Sequence, residues 1–222
     1  MVSTTRYESS VKSRMKRKLK CYCLLILTVL CLSFIALYLC AQERTESGTE
    51  QFRDITKLVN VCYTVDYSPA LRIPMSADWV LCSGDMGSTS REPSWRFVED
   101  MRVPKPRATH NDYTHSGYDR GHMVPAADRS KSISSMKSTF LMTNVAPQVP
   151  SLNRGEWAKV ERACRAYARN GHPLSIHVDA VFWLADTQLI GGNKIAVPHG
   201  FVKTVRTLLG DSIIYCKYFQ NY

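Results

Sequence analysis

The chain has 222 residues, 45% of them hydrophobic, which is room for one compact domain plus a short accessory segment and excludes a large multidomain assembly within these residues. The formal charge of +10 is not a general nucleic-acid signature, because residues 1–20 hold seven Lys or Arg against one acid, Glu8. A second surplus, twelve Lys or Arg against five acids between Arg102 and Arg169, would draw a polyanion, although a charge run is more often a solvated face.

Residues 21–39 are nineteen residues without a charge, close to the ~20 needed to span a bilayer as a helix and longer than the ~7–15 of a signal-peptide core. The basic tail 1–20 would stay cytoplasmic and the rest of the chain would cross. Cleavage after Ala41 is disfavoured by the bulky Leu39, so the segment reads as an uncleaved anchor. Cleavage would instead give a secreted domain. Residues 40–57 are polar and aperiodic and read as a linker to a domain covering 58–222. Four of the eight Cys lie in or beside the apolar segment. Cys62, Cys82, Cys164 and Cys216 are scattered through the domain, where an oxidising compartment permits two disulfides in any of three pairings. No C-x-x-C pair exists, which argues against structural zinc.

Within the domain, Val59–Val65 and Trp79–Cys82 read as strands bounded by Pro, Gly or Ser, and residues 101–117 read as loop. From Asn153 to Gly171, Trp157, Val160, Cys164, Tyr167 and Ala168 recur at steps of three and four, the pattern of a helix with one apolar face. Asn153 reads as its N-cap, with Glu156 three residues on, and Gly171 as its end. Strands are expected at Ser175–Leu184, Lys194–Val197 and Ile213–Tyr218. Short strands with few helices make an α+β domain.

The chemistry-bearing stretch is Ser116-Gly-Tyr-Asp-Arg-Gly-His122, followed by Asn144 to Gln148, Leu152-Asn-Arg-Gly-Glu-Trp157 and Glu161. Phosphodiester hydrolysis needs an activated water, relief of charge on phosphorus and help for the leaving oxygen. His122, with an ordinary pKa of ~6.5, is a base that can be neutral at pH 7. Arg120 is always charged and forks onto phosphate oxygens. Asn153 offers one neutral amide oxygen, a sparing ligand suited to Mg²⁺, which keeps several of its waters. Singly, each has a plainer explanation: an Arg-Gly-His turn, a helix cap, a solvated Glu161, and loop histidines at His110 and His115 in place of a His110/His115/His122 metal cluster.

The combination is what matters. In order and spacing, residues 116–161 closely resemble the DNA/RNA non-specific endonuclease family, the ββα-metal (His-Me finger) nucleases. Their pattern is Asp-Arg-Gly-His, then Asn-x-x-Pro-Gln, then Leu-Asn-x-Gly-x-Trp with a Glu eight residues past the Asn. The resemblance implies a ββα-metal fold on a central mixed or antiparallel sheet and cleavage of DNA and RNA to 5′-phosphate ends. It implies His122 as general base and Asn153 as the only direct protein ligand of Mg²⁺, with Mn²⁺ as a substitute. Arg120 would be a phosphate contact and Glu161 a group ordering metal-bound water. Asn144 and Gln148 would support the site on its substrate side, and Arg91 or Arg96 would be an upstream substrate-touching arginine. Homodimers occur in the family. Likeness persists more weakly from Tyr67 to Trp79 and from Val178 to Val205, and the nineteen residues after Lys203 are few for the family, so a second sheet layer short of the family's is the expectation. The rival reading is a membrane-tethered nucleic-acid-binding module with the nuclease fold and little turnover.

Overall fold

Six antiparallel strands run side by side in the order β1 (Thr56–Val59), β2 (Thr64–Ser68), β3 (Ile73–Leu81), β6 (Leu174–Val181), β9 (Gly200–Thr207) and β10 (Ile213–Gln220). This computed structural model describes residues 54–183 and 187–222. The basic tail, the apolar segment 21–39 and most of the linker lie outside the described residues. Among the described residues no helix is long and apolar enough to cross a membrane.

Period-two alternation builds the sheet's inner face. In β6 the residues Leu174, Ile176, Val178 and Ala180 are buried and their neighbours are not, and in β9 Phe201, Lys203 and Val205 are buried in the same way. Onto that face pack Trp157, Cys164 and Ala168 of the helical segment, together with Met123, Val124 and Ala146. Burying each large apolar side chain there contributes ~1.5–3 kcal/mol. A second core of Trp95, Phe97, Tyr113, Met136, Phe140, Met142 and Val145 forms within the stretch that follows β3.

The expected strand Val59–Val65 is two strands. Asn60 N–H donates to the Tyr63 carbonyl (2.9 Å), turning the chain, with Val59 and Val61 facing water. β1 begins at Thr56, inside the expected linker. The expected strand at Lys194–Val197 shortens to β8 (Ile195–Ala196), paired with β7 (Leu189–Ile190). The expected helix is present but starts earlier and is interrupted. A first turn, α2 (Pro150–Leu152), opens with Pro150 at its N-terminus, where proline's missing N–H costs nothing. A wide turn over Asn153–Trp157 follows, with Gly155 outside helical geometry, and then α3 (Ala158–Arg169). Gly171, at φ 88, ends it in the left-handed conformation that suits glycine just past a C-terminus. A shorter helix, α1 (Ile133–Ser138), is capped by Ser132, whose hydroxyl accepts from Ser135 N–H (3.2 Å).

The expectation of disulfides is corrected. All four domain cysteines are free thiols, because the fold disperses them. Cys62 lies in the β1–β2 turn with Sγ 3.8 Å from Ser135 Oγ, Cys82 follows β3, Cys164 is buried on α3, and Cys216 is exposed on β10 with Sγ 3.5 Å from Thr204 Oγ1.

Candidate active site

The motif residues are gathered on a two-stranded hairpin and the helical segment that follows it. β4 (Asp119–His122) pairs antiparallel with β5 (Val145–Gln148), with Asp119 opposite Gln148 and His122 opposite Val145. β5 then leads directly into α2 and Asn153. Gly121 is required here for close approach. A Cβ at that position would lie 2.4 Å from Cδ and Oε1 of Gln148, whose fully buried side chain lies over the glycine.

Asn153 is not the N-cap that its sequence position suggests. Its backbone is helical, and its side chain reaches back to the hairpin, where Nδ2 donates to Asp119 Oδ2 (3.0 Å). The same carboxylate accepts from Arg154 Nε (2.8 Å) and Nη2 (2.6 Å). These hydrogen bonds, Arg154 first, hold the Asp119 carboxyl below the usual range, so it is a permanent anion. With Nδ2 committed to Asp119, the Asn153 amide turns its acceptor Oδ1 the other way. That is the fit a single-ligand cation site needs. Among the described residues no three His, Cys, Asp or Glu converge to hold a metal, so His110, His115 and His122 form no such cluster.

His122 lies at the other end of β4, its ring 5.0 Å from that of Phe97 and edge-on to Phe140 at 5.3 Å. Arg91 lies over the same aromatic pair, its guanidinium carbon 4.9 Å from the Phe140 centroid and 5.8 Å from that of Phe97. Burial, reinforced by Arg91, pushes the His122 pKa down to about 4, so the imidazole is neutral throughout the physiological range. Its buried Nε2 has no protein partner. Arg120 is held from behind: Nε and Nη2 donate to the His110 carbonyl (3.2 and 2.7 Å), Nη2 also to Thr114 Oγ1, and the guanidinium lies 5.7 Å from the Tyr113 ring. Burial first, and then the charges of Arg120, Arg96 and Arg91, hold the His110 pKa below the usual value. Of the two upstream arginines, Arg91 is the one against the His122 aromatic pair. Arg96 donates to the carbonyls of Pro93 and Trp95.

Three predicted residues turn inward. Asn144 is fully buried and spends its whole amide on the frame: Oδ1 accepts from Val124 N–H, and Nδ2 donates to the carbonyls of Val124 and Thr139, each at 3.0 Å. Asn144 therefore supports the hairpin from within, while Gln148 is buried over Gly121 with both amide atoms lacking a hydrogen-bond partner. Glu161 faces an ion cluster between α3 and the sheet, with Oε2 3.8 Å from Arg165 Nη1. Arg165 also bonds Asp128 (2.8 Å), which accepts from Trp79 Nε1 (3.0 Å). The fully buried Lys203 completes the cluster, its Nζ 3.7 Å from the Trp157 ring centroid. Burial pushes the Glu161 carboxyl up and the Lys203 amine down. Residue patterns gave no warning of Arg154, Phe97 or Phe140. Only their contacts reveal them, although Arg154 adjoins Asn153.

The sequence profile of the DNA/RNA non-specific endonuclease family matches residues 40–218. The chain belongs to that family. It is similar to mitochondrial endonuclease G of Bos taurus, 35% identical over 157 residues (64% of this chain, 51% of that protein). It is similar also to a nuclease of Nostoc, 36% identical over 114 residues (51% of this chain, 42% of that one). The chain thus spans about half the length of these relatives. In fold it is similar to a crystal structure of the EndoG/EndoGI complex, with a TM-score of 0.68 and 22% identity over 75% of this chain and 74% of that one.

Proposed function

We propose that the domain is a metal-dependent, sugar-nonspecific endonuclease that hydrolyses phosphodiester bonds in DNA and RNA, leaving 5′-phosphate and 3′-hydroxyl ends. The observation that supports this reading is the Asn153–Asp119 contact, which leaves the Asn153 amide oxygen free to take a cation, on the same hairpin as a His122 whose buried Nε2 has no hydrogen-bond partner. Asn153 Oδ1 would hold Mg²⁺, with Mn²⁺ as a substitute. When bound, the ion supplies charge neutralisation at the departing oxygen and acidifies its own waters.

The chain's own residues do the rest. His122 takes a proton from the water that attacks phosphorus, its ring fixed by Phe97 and Phe140. Arg120, braced from behind by His110 and Thr114, meets the charge that builds on the phosphate. Arg91 and Arg96 hold the strand through its backbone, which makes the site indifferent to base sequence. Asp119 orients Asn153. We carry over to Glu161 the role of ordering metal-bound water, which requires its carboxylate to turn from Arg165 toward the hairpin. Segment 21–39 would tether the domain on the extracytoplasmic side of a membrane, and pairing of two copies is carried over from the family.

Replacement of Asn153 tests the metal assignment. Asn153→Ala should lower turnover on the order of 10²–10³-fold, the worth of several kcal/mol of charge stabilisation, and raise the Mg²⁺ concentration needed. An unchanged Mg²⁺ dependence would contradict it.

A further inference from the structure

Beside the Asp119 end of the hairpin is a cavity of about 530 Å³, within the ~300–1,000 Å³ typical of small-molecule sites. Tyr118, Gln188, Pro198, His199, Asn221 and Tyr222 line it, and none of their side chains carries a carboxylate. Two covalent and hydrogen-bonded links fix its position. Tyr118 precedes Asp119 in the chain. Asn221 accepts from Val149 N–H (2.9 Å) and donates to the carbonyls of Pro147 (3.0 Å) and Pro198 (2.8 Å), which fastens the cavity floor to the end of β5.

The walls are aromatic and partly pre-set. The His199 ring is stacked on Trp183, centroids 4.8 Å apart and planes 23° apart. His199 Nδ1 accepts from the Trp183 backbone N–H (3.2 Å), which puts the ring proton on Nε2 as an uncommitted donor. The His199 carbonyl is itself held by Asn221 N–H (3.0 Å) and Tyr218 OH (3.2 Å). Tyr118 OH donates to Gln188 Oε1 (2.8 Å), leaving the Gln188 amide N–H₂ as a second donor. Tyr222 is 72% exposed and Trp183 54%, so both present ring surface to an incoming ligand.

We propose that this cavity is a stacking subsite for one unpaired nucleobase of the strand being handled at the hairpin. Flat rings accept any base by its π-face, and the two donors meet acceptor atoms that every base edge offers. The lining side chains include no Asp, Glu, Lys or Arg, which suits a neutral base and leaves the phosphates to the arginines outside. The subsite therefore favours single-stranded or locally opened nucleic acid over intact duplex. This inference rests on the nuclease reading insofar as that reading supplies the polymer.

The test is fluorescence-anisotropy binding of two labelled single strands, one carrying bases and one an abasic strand with the same sugar-phosphate backbone, to the full chain bearing His122→Ala. We expect the base-bearing strand to bind about ten-fold more tightly. His199→Ala and, independently, Tyr222→Ala should each remove most of that preference while leaving abasic binding unchanged, and Tyr222→Phe should restore it. The exposed Tyr222 keeps the experiment decisive should the His199 variant fail to fold. Equal affinity for the two strands, or a preference untouched in Tyr222→Ala, overturns the subsite and leaves the nuclease reading standing. No binding to either strand overturns both.

Discussion

Asn153 Nδ2 and Asp119 Oδ2 are 3.0 Å apart, which joins two motifs separated by 34 residues into one unit. The contact decides which way the Asn153 amide faces. Asp119→Ala removes the acceptor and lets the amide rotate, as loss of an outer partner does at metal sites. Mg²⁺ affinity should fall ~10–100-fold with little change in stability. Titration of activity against Mg²⁺ measures this, and an unshifted midpoint would mean that Asp119 does not orient Asn153.

The His122 pKa predicts where activity fails in acid. A ring whose pKa is about 4 remains a free base well below the ~6.5 of ordinary histidine. The acid limb of kcat/KM at saturating Mg²⁺ should therefore centre far below pH 6.5. Arg91→Ala removes a positive charge that disfavours protonation, and should move that limb upward. A limb at the ordinary histidine value in both proteins would refute the assignment.

Gly121→Ala should damage the hairpin without touching any reacting group. Its methyl would overlap Gln148, a fully buried side chain with no room to retreat. Overpacking of this kind costs ~1–3 kcal/mol, visible as a lower urea midpoint, and activity should fall with it. Shortening the obstacle with Gln148→Ala should recover part of the lost stability.

The ion cluster under α3 makes a larger prediction. Asp128 serves Arg165 and Trp79 at once while 1% exposed, so Asp128→Ala strands a buried charge and an indole N–H. The loss should be about 3–5 kcal/mol by denaturant unfolding.

On the sheet's outer face, His177 bonds Asp179 (2.9 Å) and Asp78 (2.6 Å), which together raise its pKa to about 9. A folded-state pKa above the unfolded value means that the charged form is bound more tightly when folded. Its contribution is complete below about pH 6.5 and disappears as pH rises through about 9. The groups are half-exposed, so the effect is small. The difference in urea midpoint between wild type and His177→Gln should close over that window.

Residue patterns reveal the site's membership better than its geometry. The helix and its Gly171 stop follow from apolar spacing and glycine chemistry. The hairpin strands do not: Asp119–His122 is polar throughout and Val145–Gln148 is buried throughout, so neither shows alternation. Asn153 looks like a cap because Asn is a good one, and only the tertiary position of Asp119 overrides that preference. The cysteines suggest bridges because counting is blind to distance. The split of Val59–Val65 depends on a single turn at Asn60 that β-propensity does not register.

The central claim is that His122 activates water beside a cation held by Asn153. Its most direct test is the rate of plasmid and RNA cleavage by wild type and His122→Ala with Mg²⁺, each repeated with EDTA. Wild type should cleave both polymers, His122→Ala should be ~10²–10⁴-fold slower, and neither should cleave with EDTA. A His122→Ala protein that cuts as fast as wild type, or cleavage that persists in EDTA, would contradict it.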